Sequence, residues 1–108
     1  MNAATDKELL ELAAKAYGIA LEWDDEGMSY YWENWRGLPQ KVFWNSLGDD
    51  ADALRLAVKT GEPFVVRTRC VTTMGGLKED FDHFVPGDDL RATRRVITRA
   101  AAAMGKKP

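Results

Sequence analysis

The chain has 108 residues, of which 45% are hydrophobic, 30% charged and 10% aromatic. That is a single domain, residues 1–108, able to bury roughly two thirds of its unfolded surface without a disulfide or a structural metal. One cysteine, Cys70, and one histidine, His83, exclude a disulfide framework, a multi-cysteine zinc site and a histidine-rich metal centre.

No run approaches the ~20 apolar residues of a membrane span. The start, Met1 to Asp6, has no basic segment followed by an apolar one, so a cytoplasmic protein without a secretory signal is expected. Net charge is −2, but it is uneven: residues 1–54 hold 11 acids and 4 bases, and residues 55–108 hold 6 acids and 11 bases. Such asymmetry either neutralises itself within one fold or marks a polar partner surface.

Thr5-Asp6-Lys7-Glu8 is a capping box, Leu9, Leu10, Ala13, Ala16 and Tyr17 follow at helical spacing, and Gly18 fits the left-handed stop. The pattern predicts a first helix over about 6–17. Aromatic-rich runs on either side of Asp24-Asp25-Glu26-Gly27 predict a β-hairpin with strands about 19–23 and 28–34. Residues 34–40, with Gly37 and Pro39, read as loop, and Val42-Phe43-Trp44 as a short extended piece. Asp49 or Asp50 caps a second helix over about 50–60, with Leu54, Ala57 and Val58 as its apolar stripe and Gly61 as its stop. Phe64 to Thr73 reads as one strand, Gly75-Gly76 as a hairpin turn, and Leu77 to Val85 as a returning edge strand. Asp88 or Asp89 caps a third helix over about 89–104, with Gly105 as its stop and Lys106-Lys107-Pro108 as a tail. The order α-ββ-α-ββ-α predicts an α+β fold, with one mainly antiparallel four-stranded sheet packed by three helices.

The chemistry-bearing residue types do not converge on a catalyst. Asp24-Asp25-Glu26 and Asp49-Asp50 with Asp52 lack the spacing of a calcium loop, and capping accounts for the second cluster. His83 and Asp82 are neighbours on what reads as a strand, so they point to opposite faces. Cys70 reads as a small buried hydrophobe, and Gly75-Gly76 lacks the lysine and helix of a phosphate loop. The expectation is a protein that is not an enzyme, with no metal and no cofactor.

Two surfaces are candidates for binding. Trp23, Tyr30, Tyr31, Trp32, Trp35, Phe43 and Trp44 fall within 22 residues. Tyr30 and Trp32 share one strand face and Tyr31 takes the other. If both faces of the sheet are covered, all of these rings are core; if the hairpin projects, Trp23, Tyr30, Trp32 and Trp35 are candidates for a partner contact. The other surface is the arginine row Arg91, Arg95 and Arg99 with Arg94 beside it, extended by Arg67 and Arg69 on one strand face. Arginine rows bind phosphates or acidic proteins, and they also serve as solvated helix faces. A net charge of −2, with no helix-turn-helix pattern, argues against nucleic acid.

Trp44-Asn45-Ser46-Leu47, followed by Asp49-Asp50 and by Asp52 to Lys59, resembles a family of small phage and prophage proteins described as having a phage ABA sandwich domain. Glu8 to Ala16 and Ala92 to Ala102 are similar too, so the resemblance lies in the three helical segments and spans nearly the whole chain. Ser46 stands where that family has proline, a departure that bears on loop geometry. The resemblance implies an α/β/α sandwich and a phage or prophage origin, and it carries no established activity or catalytic residues. The function expected is therefore a non-enzymatic, phage-encoded accessory protein. It would bind a host or phage protein in the host cytoplasm, one concrete form being an inhibitor of a host defence system. A nucleotide or nucleic-acid binder using the α-helical arginines and a virion structural component are the alternatives.

Overall fold

The computed structural model describes residues 5–107. Met1 to Ala4 and Pro108, on which the readings of the amino-terminal start and of the tail partly fall, lie outside the described residues. The elements in chain order are α1 (Asp6–Tyr17), β1 (Glu22–Trp23), β2 (Ser29–Trp35), β3 (Leu38–Phe43), α2 (Asp50–Thr60), β4 (Phe64–Val66), β5 (Cys70–Thr73), β6 (Lys78–Asp80) and α3 (Asp88–Gly105). The class is α+β, with three helices and two antiparallel three-stranded sheets, ordered β1-β2-β3 and β4-β5-β6.

The expected single four-stranded sheet is thus corrected to two sheets, for two local reasons. Residues 34–40 are not a loop: Arg36 and Gly37 (φ 50° and 82°) form a two-residue turn of the kind that matches strand twist, and β2 runs straight into β3. Pro39 is tolerated because β3 is an edge and because of its parity. The Trp44 amide donates to the Ser29 carbonyl, so alternate positions from there face β2, and Pro39 falls at an outward one where no ladder bond is lost. In the second half, Phe64 to Thr73 breaks at Arg67-Thr68-Arg69, where the Arg67 amide donates to the Cys70 carbonyl and closes a β4–β5 hairpin. The returning strand stops at Asp80. Residues 81–87 are loop, so Asp82 and His83 are not strand neighbours at all.

Both short helices start and stop where the sequence places them. The Thr5 hydroxyl accepts from the Glu8 amide, Asp49 accepts from the Asp52 amide, and Gly18 and Gly61 close the helices in left-handed geometry. The face that α2 buries differs from the expected one. Ala53 and Leu56 are buried, with Ala57 and Thr60 half-buried, while Leu54 and Val58 are exposed. Alanine at 53 and 57 lets α2 approach its neighbours closely, and the larger side chains turn outward.

α3 is the central element: α1, α2, β5 and β6 all pack on it, and it buries Ala92, Val96, Ile97, Thr98, Ala100, Ala101 and Ala102. Its amino-terminal cap is Gly87, without a side-chain cap; Asp88 instead accepts from the Asp82 amide and holds the preceding loop. Gly105 is not the stop. It is the last helical residue, buried against the backbone of Leu12, and a Cβ there would collide with the Leu12 carbonyl. Ser46 is fully buried and bonded to Thr98 at 2.8 Å. Thr98 gives its own proton to the Arg94 carbonyl, so Ser46 is the donor, and proline at 46 would lose this tie between loop and α3.

Candidate functional site

The base of the first sheet is part of the body. Ser29, Tyr31, Val42 and Trp44 alternate onto one face of β2–β3, Trp44 is 2% exposed, and Tyr31 and Trp23 pack against the core around it. The Ser29 hydroxyl donates to the Trp44 carbonyl. Burial, seconded by the nearby Glu33 carboxylate, pushes the Tyr31 phenol above its ordinary value. Trp23 is held as well: its indole N–H donates to Glu11 at 3.1 Å and Lys7 lies over its ring. Trp23 is therefore packed between α1 and the sheet.

Past Tyr31 the support ends. β1 pairs with Ser29 and Tyr30, so the outer part of β2–β3 is a two-stranded ribbon with no third strand beside it among the described residues. Trp32 is 55% exposed, Trp35 55%, Leu38 66% and Phe43 52%. An isolated hairpin is marginal in water at best, and this one exposes its largest apolar groups. The ribbon forms an arm with two apolar surfaces. On the open face, turned away from the body, Tyr30 meets Trp32 and Phe43 edge-on at ring separations of 5.9 and 6.4 Å. Lys41 lies across Tyr30 and Phe43 on that face and reaches Asp24 at 4.0 Å. On the other face, at the tip, Trp35 and Leu38 are paired across the turn.

The tip turn is itself unusual. Among the described residues Arg36 is the sole non-glycine with positive φ, a conformation costing an L-residue roughly 1–2 kcal/mol. Its guanidinium lies 5.3 Å from the Trp35 ring centre. At the opposite end of β2, Asp24 accepts from the amides of Glu26 and Met28 and shapes the Asp24–Gly27 turn, leaving Asp25 and Glu26 exposed.

The arginines are placed differently from the sequence expectation. Glu79 sits on the inner face of β6, where Arg99 donates to it at 2.6 Å and Arg95 and Arg91 approach at 3.5 and 4.0 Å. Arg99 also donates to the Lys78 carbonyl and Arg91 to the Asp80 carbonyl. These two carbonyls lie on β6, an edge strand, so the row covers a sheet edge that would otherwise invite pairing. Arg91 further binds Asp88; this bond, helped by the Asp82 amide, holds the Asp88 carboxyl below its ordinary range and raises the Arg91 guanidinium. Arg95 also binds Asp6, and Arg94 donates to Asp50 and to the Leu47 carbonyl. The row is neither a solvated face nor an open one: Glu79 and Asp88 of the same half hold most of it, and the Arg94–Asp50 and Arg95–Asp6 pairs tie it to the acidic first half. Arg67 and Arg69 share no strand face: they flank the β4–β5 loop, and both are exposed.

His83 stacks on the exposed Phe84 with ring centres 4.0 Å apart, beside a shallow cleft formed with Arg69, Asp80 and Asp88. Cys70 is half-buried at the start of β5. Among the described residues no three His, Cys, Asp or Glu side chains converge as metal ligands, and no helix is long and apolar enough to cross a membrane. Leu38 and Arg36 were missed as surface residues in the sequence; the signal that finds them is the Arg36-Gly37 pair between two alternating runs. Comparison of the chain with protein-family models, curated proteins and solved structures finds no match.

Proposed function

We propose that the protein is a non-enzymatic protein-binding module whose contact surface is the β2–β3 arm. The observation that carries this reading is the arm's exposure: Trp32, Trp35 and Leu38 stand in solvent on a ribbon that, among the described residues, has no neighbouring element to pack on. Tryptophans in such settings are the usual anchors of protein contacts. The resemblance of the helical segments to small phage and prophage proteins supports a phage origin, with a host or phage protein in the host cytoplasm as the target. Inhibition of a host defence system is one form of that role. The nucleotide-binding reading has less to rest on, because the four α3 arginines all donate to groups of the chain itself.

The test uses Trp35→Ser with Leu38→Ser, since this pair stands more than half exposed at the tip. Binding to the target should weaken by about 2 kcal/mol or more. Full capture of the same host or phage protein by the double variant would overturn the reading. Recovery of the chain in purified virions would move it to the structural class.

A further inference from the structure

We propose that the outer edge of β4 docks an extended segment of a partner protein, added antiparallel as a fourth strand and carrying an acidic residue followed by alternating aliphatic ones. The site lies on the second sheet and is separate from the arm.

The pairing of β4 fixes which of its backbone groups are free. The Arg67 amide donates to the Cys70 carbonyl and the Met74 amide to the Pro63 carbonyl, so Pro63, Val65 and Arg67 face β5. Phe64 and Val66 therefore turn their amides and carbonyls to the outside of the sheet, at the spacing an antiparallel strand matches. Two other edges are closed, β3 by Pro39 and Lys41 and β6 by the α3 arginines. β4 carries neither proline nor charge: it is Phe64-Val65-Val66, with both valines exposed. An edge of this kind is a template for another strand.

A cleft beside the edge sets what the strand must carry. Phe64 and Val66 share the helical side of the sheet with their buried partners Thr73 and Val71. Next to Phe64, Leu54 of α2 and Leu90 of α3 meet Ala53 and Ile97 around a cleft of about 190 Å³. That is the scale of one large aliphatic side chain and too small for most ligands. Leu54 and Leu90 are exposed, and Val58 extends the apolar stripe one turn further along α2. Side chains alternate along a strand, so the incoming residue opposite Phe64 takes Phe64's face and enters the cleft.

Charge fixes the remaining position. Arg67 ends β4, is exposed and has no ion pair among the described residues, unlike the four α3 arginines. In antiparallel register the residue opposite Arg67 comes three before the one in the cleft, and an acid there faces the guanidinium across the strands. The residue opposite Val66 is again on the helical side. The recognised pattern is therefore acid, aliphatic, any residue, aliphatic.

The probe is a capped synthetic peptide, Thr-Asp-Leu-Thr-Leu-Thr, added to the full chain. It should bind with a Kd of about 0.1 mM. Amide hydrogen exchange, read residue by residue, gives the alternation that strand pairing imposes. The Phe64 and Val66 amides should exchange freely in the protein alone and slow at least tenfold at about 2 mM peptide, with Val65 and Arg67 protected throughout. Val66→Pro should abolish binding and keep the fold, because that amide makes no bond within the sheet. Leu54→Glu, at an exposed position, should weaken binding at least tenfold. Arg67→Asp should do the same, and a peptide with lysine in place of its aspartate should restore the affinity. Trp35→Ser with Leu38→Ser should bind the peptide as the wild type does, which separates this site from the arm. No binding at about 2 mM, or binding that leaves exchange at Phe64 and Val66 unchanged, overturns the proposal. So does binding indifferent to Arg67 reversal. Protection of both amides in the free chain together with a doubled mass assigns the edge to a second copy and overturns it as well.

Discussion

The two sheets of this protein are both antiparallel three-stranded meanders, and they solve the problem of an uncovered strand in opposite ways. The sheet β4-β5-β6 lies on α3, its inner face filled by Val71 and Thr73, and its β6 edge is covered by the arginines that meet Glu79. The sheet β1-β2-β3 is packed at its base and left bare beyond Tyr31. What differs is the element beside each sheet: α3 runs along the second, and among the described residues nothing runs along the outer half of the first. Equal strand content therefore says little about which sheet is core and which is surface.

The contrast breaks most sharply at the arm's root. Trp44→Ala should cost about 3–5 kcal/mol and remove the anchor of β2–β3. Trp44→Phe should cost much less, because the buried indole N–H has no hydrogen-bond partner among the described residues. Thermal or denaturant unfolding of both variants measures the difference. On the α3 side, Gly105→Ala should destabilise by about 1–3 kcal/mol or more, since the new methyl must displace the Leu12 carbonyl of α1. Glu79→Gln should cost about 1 kcal/mol, because three guanidinium groups lose a shared, partly exposed carboxylate. Hydrogen exchange should also rise along β6. By contrast, Trp35→Ser with Leu38→Ser should change stability by less than about 0.5 kcal/mol, as expected for groups exposed in both states. The smallest effect is a pH effect. The Asp88 carboxyl is held below its ordinary value of 3.8, so its contribution is present above that value and is lost as pH falls through the folded pKa. Asp88→Asn should lower the melting temperature slightly at neutral pH and converge with wild type in acid.

Helix termini were legible because caps and stops are local. Thr5, Gly18, Asp49 and Gly61 act through bonds to residues within a few positions, and each does in the fold what its pattern predicts. The Arg36-Gly37 turn was legible in principle and concealed by Pro39, whose effect depends on whether its strand is an edge. The buried face of α2 was misread because Leu54 and Val58 outweigh Ala53 and Ala57 in hydrophobicity, while close helix packing favours the smaller pair. Gly105 looked like a stop because glycine after an apolar run usually is one; here it lets α1 approach α3.

The amino-acid sequence by itself determined the three helices, two of the four antiparallel hairpins (β1–β2 and β5–β6), the α+β class and the caps of the first two helices. These follow from interactions between residues close along the chain. The tertiary structure alone decided that the strands divide into two sheets, that the arginine row turns inward onto Glu79, and that of seven clustered aromatics Trp44 is core while Trp32 and Trp35 stand in solvent. Each of those outcomes depends on which element lies across a given face, a relation between residues far apart in sequence that no local pattern encodes.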